Sequence, residues 1–160
     1  MKTILAIDPG LQGTGLAFFS ITGLKATSVI TVRGRSEDWV TRCEQIVDHV
    51  DAWMKVQVAP ARRVVCEMME HHGSAKSSMI WRSGDLQRTL VLVGMLAHWA
   101  RTQDSIVELV PPSEWKGQLP KRIVEQRINK RLGLPLVRQL GIKTHAYDAV
   151  GIGLWALGRF

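Results

Sequence analysis

The 160-residue chain holds only two cysteines and no apolar run approaching the roughly 20 residues of a membrane-spanning helix. Cys43 and Cys66 lie inside apolar patterns without metal-ligand spacing, so they read as buried thiols of a reducing compartment. The opening Met1 to Asp8 has too short an apolar part for the core of a signal peptide, and no cleavage-site pattern follows it. A cytoplasmic protein without a membrane partner is expected, in the host cytoplasm if a virus encodes it. Internal repeats, low-complexity tracts and linkers are also missing. With hydrophobic residues at 46%, there is material for one real core, so a single domain over residues 1–160 is expected.

Acid is scarce, with 14 Asp and Glu against 21 Lys and Arg, a net charge of +7 that favours an anionic partner, nucleic acid above all. The excess is local. From Lys116 to Lys143 there are eight basic residues against one acid, Glu125. Lys116, Lys121, Arg122, Arg127, Lys130 and Arg131 carry most of it, and next to a carboxylate site they read as a rail for a phosphate backbone.

The few acids are pointedly placed. Asp8 closes one apolar run, Glu67 closes another, and Asp148 follows His145 by three residues, which puts both on one side of a helix. Carboxylates at strand ends are what a sheet edge needs to hold hard cations such as Mg²⁺ or Mn²⁺, which prefer oxygen ligands. Taken singly, each is ordinary: Asp8-Pro9-Gly10 is a turn signal, Glu67 a strand end, His145 and Asp148 first-turn residues of a helix. Gly10, Gly13 and Gly15 suggest a phosphate cradle, although their spacing matches neither a P-loop nor a dinucleotide fingerprint.

Patterning predicts strands at Thr3 to Ile7, Gly15 to Ile21 and Lys25 to Val32, joined by short turns into an antiparallel meander. A helix capped by Ser36 and ending before Pro60 follows, then a strand from Arg63 to Cys66. A long helix presents Leu86, Leu90, Val93 and Ala97 on one face. After it come a strand at Ile106 to Val110, a basic helix from about Pro120 to Leu132 and a last helix from about Thr144 to Leu157. The order βββαβαβαα predicts an α/β architecture, a mixed five-stranded sheet flanked by helices. If the strands ending in Asp8 and Glu67 are parallel neighbours, both carboxylates meet at one edge.

Asp8-Pro-Gly with its following glycines, Glu67 after an apolar strand, and His145-Ala-Tyr-Asp148-Ala in a C-terminal helix together resemble the RuvC-type Holliday junction resolvases of the ribonuclease H-like superfamily. Val110-Pro-Pro-Ser-Glu-Trp-Lys116-Gly is similar to that family's Pro-x-x-x-Lys segment. The resemblance spans nearly the whole chain in the family's order. It implies a ribonuclease H-like fold, a homodimer, branched DNA as partner and an endonuclease using two Mg²⁺ ions, with Mn²⁺ as a substitute. Asp8, Glu67, His145 and Asp148 would form the metal-binding catalytic set, Asp8 bridging the ions, and Lys116 or Lys121 would neutralise the phosphate in the transition state. The family's junction-wedging aromatic has no counterpart in Met68-Met69-Glu70-His71-His72. Trp81 and Trp115 either stack on DNA or, as isolated tryptophans more often do, pack in the core, and the face of the long helix bearing Leu86, Leu90 and Val93 is either a dimer element or a surface that packs only on its own sheet. Two other classes share parts of the pattern: an actin-like or sugar-kinase-like ATPase domain, and a noncatalytic nucleic-acid-binding scaffold.

Overall fold

The computed structural model describes residues 3–33, 38–70 and 84–160. Its strands are β1 (Ile4–Asp8), β2 (Thr14–Ser20), β3 (Gly23–Ile30), β4 (Arg63–Glu67) and β5 (Ile106–Val110). The helices are α1 (Trp39–Lys55), α2 (Asp85–Thr102), α3 (Pro112–Trp115), α4 (Lys121–Leu132), α5 (Leu134–Leu140) and α6 (Thr144–Ala156). The strands form one sheet in the order β3-β2-β1-β4-β5. β1 and β3 pair antiparallel with β2, while β4 pairs parallel with β1 and with β5. The mixed five-stranded α/β sheet expected from the sequence is therefore present.

All five residues of β1 are buried, as befits a central strand covered on both faces. Because side chains alternate across a strand, Ile4 and Ala6 pack with Ala17, Phe19 and Val65 against α6, α4 and Trp115. Leu5 and Ile7 go the other way, joining Leu16, Phe18, Val64 and Cys66 against α1 and α2. An ion pair between Arg63 and Glu108 ties β4 to β5, and a second guanidinium nitrogen of Arg63 donates to the Ala156 carbonyl at the end of α6.

Two short helices were not expected. Pro112 opens α3 and Pro135 lies in the first turn of α5, positions where a missing N–H costs nothing. The expected apolar face of α2 divides. Leu86 and Val93 are buried, Val93 in the core on the sheet, whereas Leu90 is exposed beside Val91, in the same stripe as Gly94 and His98. The expected cap Ser36 and the residues His71, His72 and Trp81 lie outside the described residues.

Candidate active site

The site begins with strand register. Ile7 pairs with Cys66 across two parallel strands, so the next residues, Asp8 and Glu67, end neighbouring strands at the same edge of the sheet. Both are nearly buried. α6 then crosses behind β1 and β2 and delivers His145, whose Nδ1 lies 3.1 Å from Oδ2 of Asp8. Asp148 sits one turn further along, on the same side.

Two glycines permit this approach. A Cβ on Gly15 would overlap the backbone carbonyl of His145, and one on Gly13 would come within 2.8 Å of the imidazole. The loop before them is closed by Thr14, which is fully buried and donates from Oγ1 to the Gly10 carbonyl at 2.9 Å. Gly13 and Gly15 thus make room for α6, a different role from the phosphate cradle that their spacing suggested.

The electrostatics follow from crowding negative charge into partly dry surroundings. Burial pushes the Glu67 carboxyl above its ordinary range, and the nearby Asp8 and Asp148 add to this, while Lys116 and the Trp115 N–H oppose it. Burial raises Asp148 as well, followed by the Asp8 charge, with Lys116 and Lys121 pulling the other way. His145 is raised by its hydrogen bond to Asp8, against a smaller opposing effect of burial. The buried Cys66 thiol, between the two strand-end carboxylates, is held far on the neutral side.

Both candidate lysines belong to this edge, in different roles. Lys116 Nζ lies 3.4 Å from Oε2 of Glu67 and 4.6 Å over the ring of Trp115. Lys121, exposed at the start of α4, acts on the charges of Asp148 and His145. Arg122 is exposed on the next position of α4. The remaining expected DNA contacts diverge. Arg127, Lys130 and Arg131 border a hollow with Phe160, and Arg131 also borders one beside the Thr22-Gly23-Leu24 hairpin, at the opposite end of the sheet from Asp8. The ten steps from Lys121 to Arg131 span about 15 Å of helix.

Trp115 takes the packing role of the two open to it: it is buried and donates its indole N–H to Glu67 Oε2 at 2.6 Å, so it braces the site from within and is not available to stack on DNA. Sequence reasoning also missed a cleft of about 360 Å³ on the imidazole side, lined by Gln12, Gly13, Arg42, His145 and an Arg88–Asp85 ion pair. The helical positions of Arg42 and Arg88 gave no sign that α1 and α2 converge on the loop after Asp8.

The donor set, three carboxylates and an imidazole, has the chemistry of a divalent-cation site, and the raised carboxyls are what a cation would relieve. Among the described residues, no group of three or more His, Cys, Asp or Glu is arranged to hold a metal ion. Asp8 instead turns to His145, and Glu67 to Trp115 and Lys116.

The sheet order, its mixed strand directions and the crossing C-terminal helix define a ribonuclease H-like α/β fold. Among solved structures, the chain is similar to Thermus thermophilus RuvC, with a TM-score of 0.65 and 16% identity over 98% of this chain and 97% of that one. A second similar structure is T. thermophilus RuvC in complex with a Holliday junction substrate, at TM-score 0.59 and 17% identity, covering 96% and 91% of the two chains. The likeness to an Aquifex aeolicus PPX-GPPA enzyme, at TM-score 0.42, 13% identity and 83% and 41% coverage, is too slight to carry weight. No family model and no curated protein matches the chain. Among the described residues, no helix is long and apolar enough to cross a membrane.

Proposed function

We propose that this chain is a RuvC-type, metal-dependent endonuclease that resolves four-way or otherwise branched DNA junctions, acting as a homodimer of one nuclease domain spanning residues 1–160. The observation that carries the reading is the convergence of Asp8 and Glu67, ending adjacent parallel strands, with the His145 and Asp148 side of α6. Asp8, Glu67, His145 and Asp148 would hold Mg²⁺ or Mn²⁺. When bound, such ions supply activation of water and charge stabilisation at the leaving oxygen. His145 would serve in one of two ways, as a ligand in that set or, with its Nδ1–H given to Asp8, as a neutral base whose Nε2 takes a proton from an attacking water. Lys116 and Lys121 set positive charge beside the carboxylates, where a phosphate would otherwise be repelled. The exposed side of α4 then serves as a backbone rail leading away from the site.

A four-way junction has two-fold symmetry, so a C2 dimer that brings two such edges to opposed strands suits the reaction. The exposed Leu90, Val91, Gly94 and His98 stripe of α2 is the surface we assign to that contact. The alternative is a noncatalytic scaffold that keeps the sheet and the basic side of α4 without the reaction. Purified protein with Mg²⁺ and labelled four-way junction, flap and linear duplex decides between them. Junction cleavage that vanishes in Asp8→Asn and Glu67→Gln while junction binding persists is the expected result. Cutting by Asp8→Asn at the wild-type rate overturns the assignment, and binding by all three proteins without any cleavage identifies the scaffold.

A further inference from the structure

Glu67 has two carboxylate oxygens, and the contacts around it use them unequally. Trp115 Nε1 donates to Oε2 at 2.6 Å, and Lys116 Nζ stands 3.4 Å from the same Oε2. Neither contact touches Oε1. The indole is 2% exposed, and an indole N–H is a single directional donor that a buried ring cannot redirect to water.

The ring is also fixed from behind. Gly151 of α6 lies against it, where any Cβ would overlap the six-membered ring. Phe160 meets it edge to face, with centroids 5.6 Å apart and planes at 68°. Lys116 covers it at 4.6 Å from the centroid. A residue so confined cannot follow Glu67, so Glu67 must follow it.

We infer that Trp115 is a positioning residue: its N–H, together with Lys116, holds Oε2 of Glu67 and so fixes the orientation in which the Glu67 carboxylate would meet a divalent cation. The inference rests on the proposed reading of Glu67 as a metal ligand. Its physical basis is the general behaviour of hydrogen-bonded carboxylate ligands, whose outer partners set orientation and typically cost 10- to 100-fold in metal affinity or activity when removed.

The test uses the full chain and two readouts. In ¹H–¹⁵N spectra of the metal-free protein, the Trp115 indole signal, identified by its absence in Trp115→Phe or by its proximity to the Phe160 ring, should exchange slowly with solvent and shift in Glu67→Gln. A Trp115 signal that Glu67→Gln leaves unmoved overturns the inference, whether or not Trp115→Phe folds. Calorimetric titration with Mn²⁺ should then show affinity weakened about 10-fold in Trp115→Phe, which keeps an aromatic ring and loses the donor together with part of the buried volume. Mn²⁺ binding by a folded Trp115→Phe as tight as wild type also overturns it. Should Trp115→Phe fail to fold, the wild-type indole signal must move during a Mg²⁺ titration, and a signal that stays put through saturation counts against the inference. The two readings separate cleanly: a wild type that cuts no DNA yet shows the Mn²⁺ loss sinks only the nuclease, and one that cuts DNA without that loss sinks only the role of Trp115.

Discussion

His145 and Asp8 are 137 residues apart in sequence and 3.1 Å apart in space, the imidazole Nδ1 facing the carboxylate Oδ2. The pairing raises the histidine above its ordinary value, which means that the folded state favours the protonated ring. In the metal-free protein its stabilisation is full below the ordinary histidine value and is lost as pH rises through the raised one. The melting-temperature difference between wild type and His145→Ala should therefore shrink as pH rises from the ordinary histidine value through the raised one. A difference that grows with pH contradicts the pairing. For cleavage the sign reverses, because neutral imidazole is the useful form: the rate should drop as pH falls through the raised value. His145→Asp should keep measurable activity without that step, and His145→Ala should lose about 100-fold or more.

Asp148 and Glu67 hold raised carboxyls, so ionising them in the folded state opposes stability as pH climbs toward neutrality. Asp148→Asn should melt higher than wild type in chelator, by about 2 °C or more at neutral pH. Adding Mg²⁺ should narrow or reverse the order, since the variant binds the ion less well. Equal melting in chelator and equal response to Mg²⁺ would remove Asp148 from the site.

Affinity for a junction should fall steeply with salt, each phosphate contact contributing about 0.9 to the slope of log affinity against log salt. Replacing Lys121, Arg122 and Arg127 by Gln should flatten that slope by about 2 to 3. The same number of replacements on the far side of the sheet serves as control. If only the control flattens the slope, the DNA lies elsewhere.

Glycines in the two sheet-covering helices and in β2 should answer differently to Ala. Gly15→Ala drives a methyl into the His145 carbonyl, where backbone must move, and should cost about 1–3 kcal/mol together with cleavage. Gly94 of α2 has open space about its Cβ position. Gly94→Ala should stabilise the monomer by about 0.5–1 kcal/mol through helix propensity. Gly94→Arg should lower the molecular mass seen in sedimentation from dimer to monomer if α2 is the contact.

Much of the fold was legible because the sheet signals are local. The apolar runs of β1 and β5 end at turn residues, that of β4 ends at a carboxylate, and the periodicities of α1, α2, α4 and α6 are long enough to read. α3 and α5 escaped because Pro112 and Pro135 look alike whether they stop a helix or start one. The carboxylates were legible from strand ends, since parallel register carries Asp8 to Glu67. Trp115 was not. Its partner Glu67 lies 48 residues earlier, and only the pairing of Glu67 with Val110, five residues before the tryptophan, brings them together. The splitting of the basic stretch had the same cause: sequence shows that Lys121 and Arg131 share a helix, while only the docking of α4 across the sheet sends its ends to opposite edges.

α6 has a consequence for the order in which the molecule is made. The five strands are complete by Val110, whereas His145 and Asp148 ride on α6, which also supplies the cover over Ala6, Ala17 and Phe19. A growing chain can therefore pair its sheet while the acid and imidazole set is still half made. Premature termination before Thr144 would remove two of the four site groups and expose the apolar face in one stroke. The products unable to complete the site would be the same ones that chaperones and proteases recognise by their exposed core.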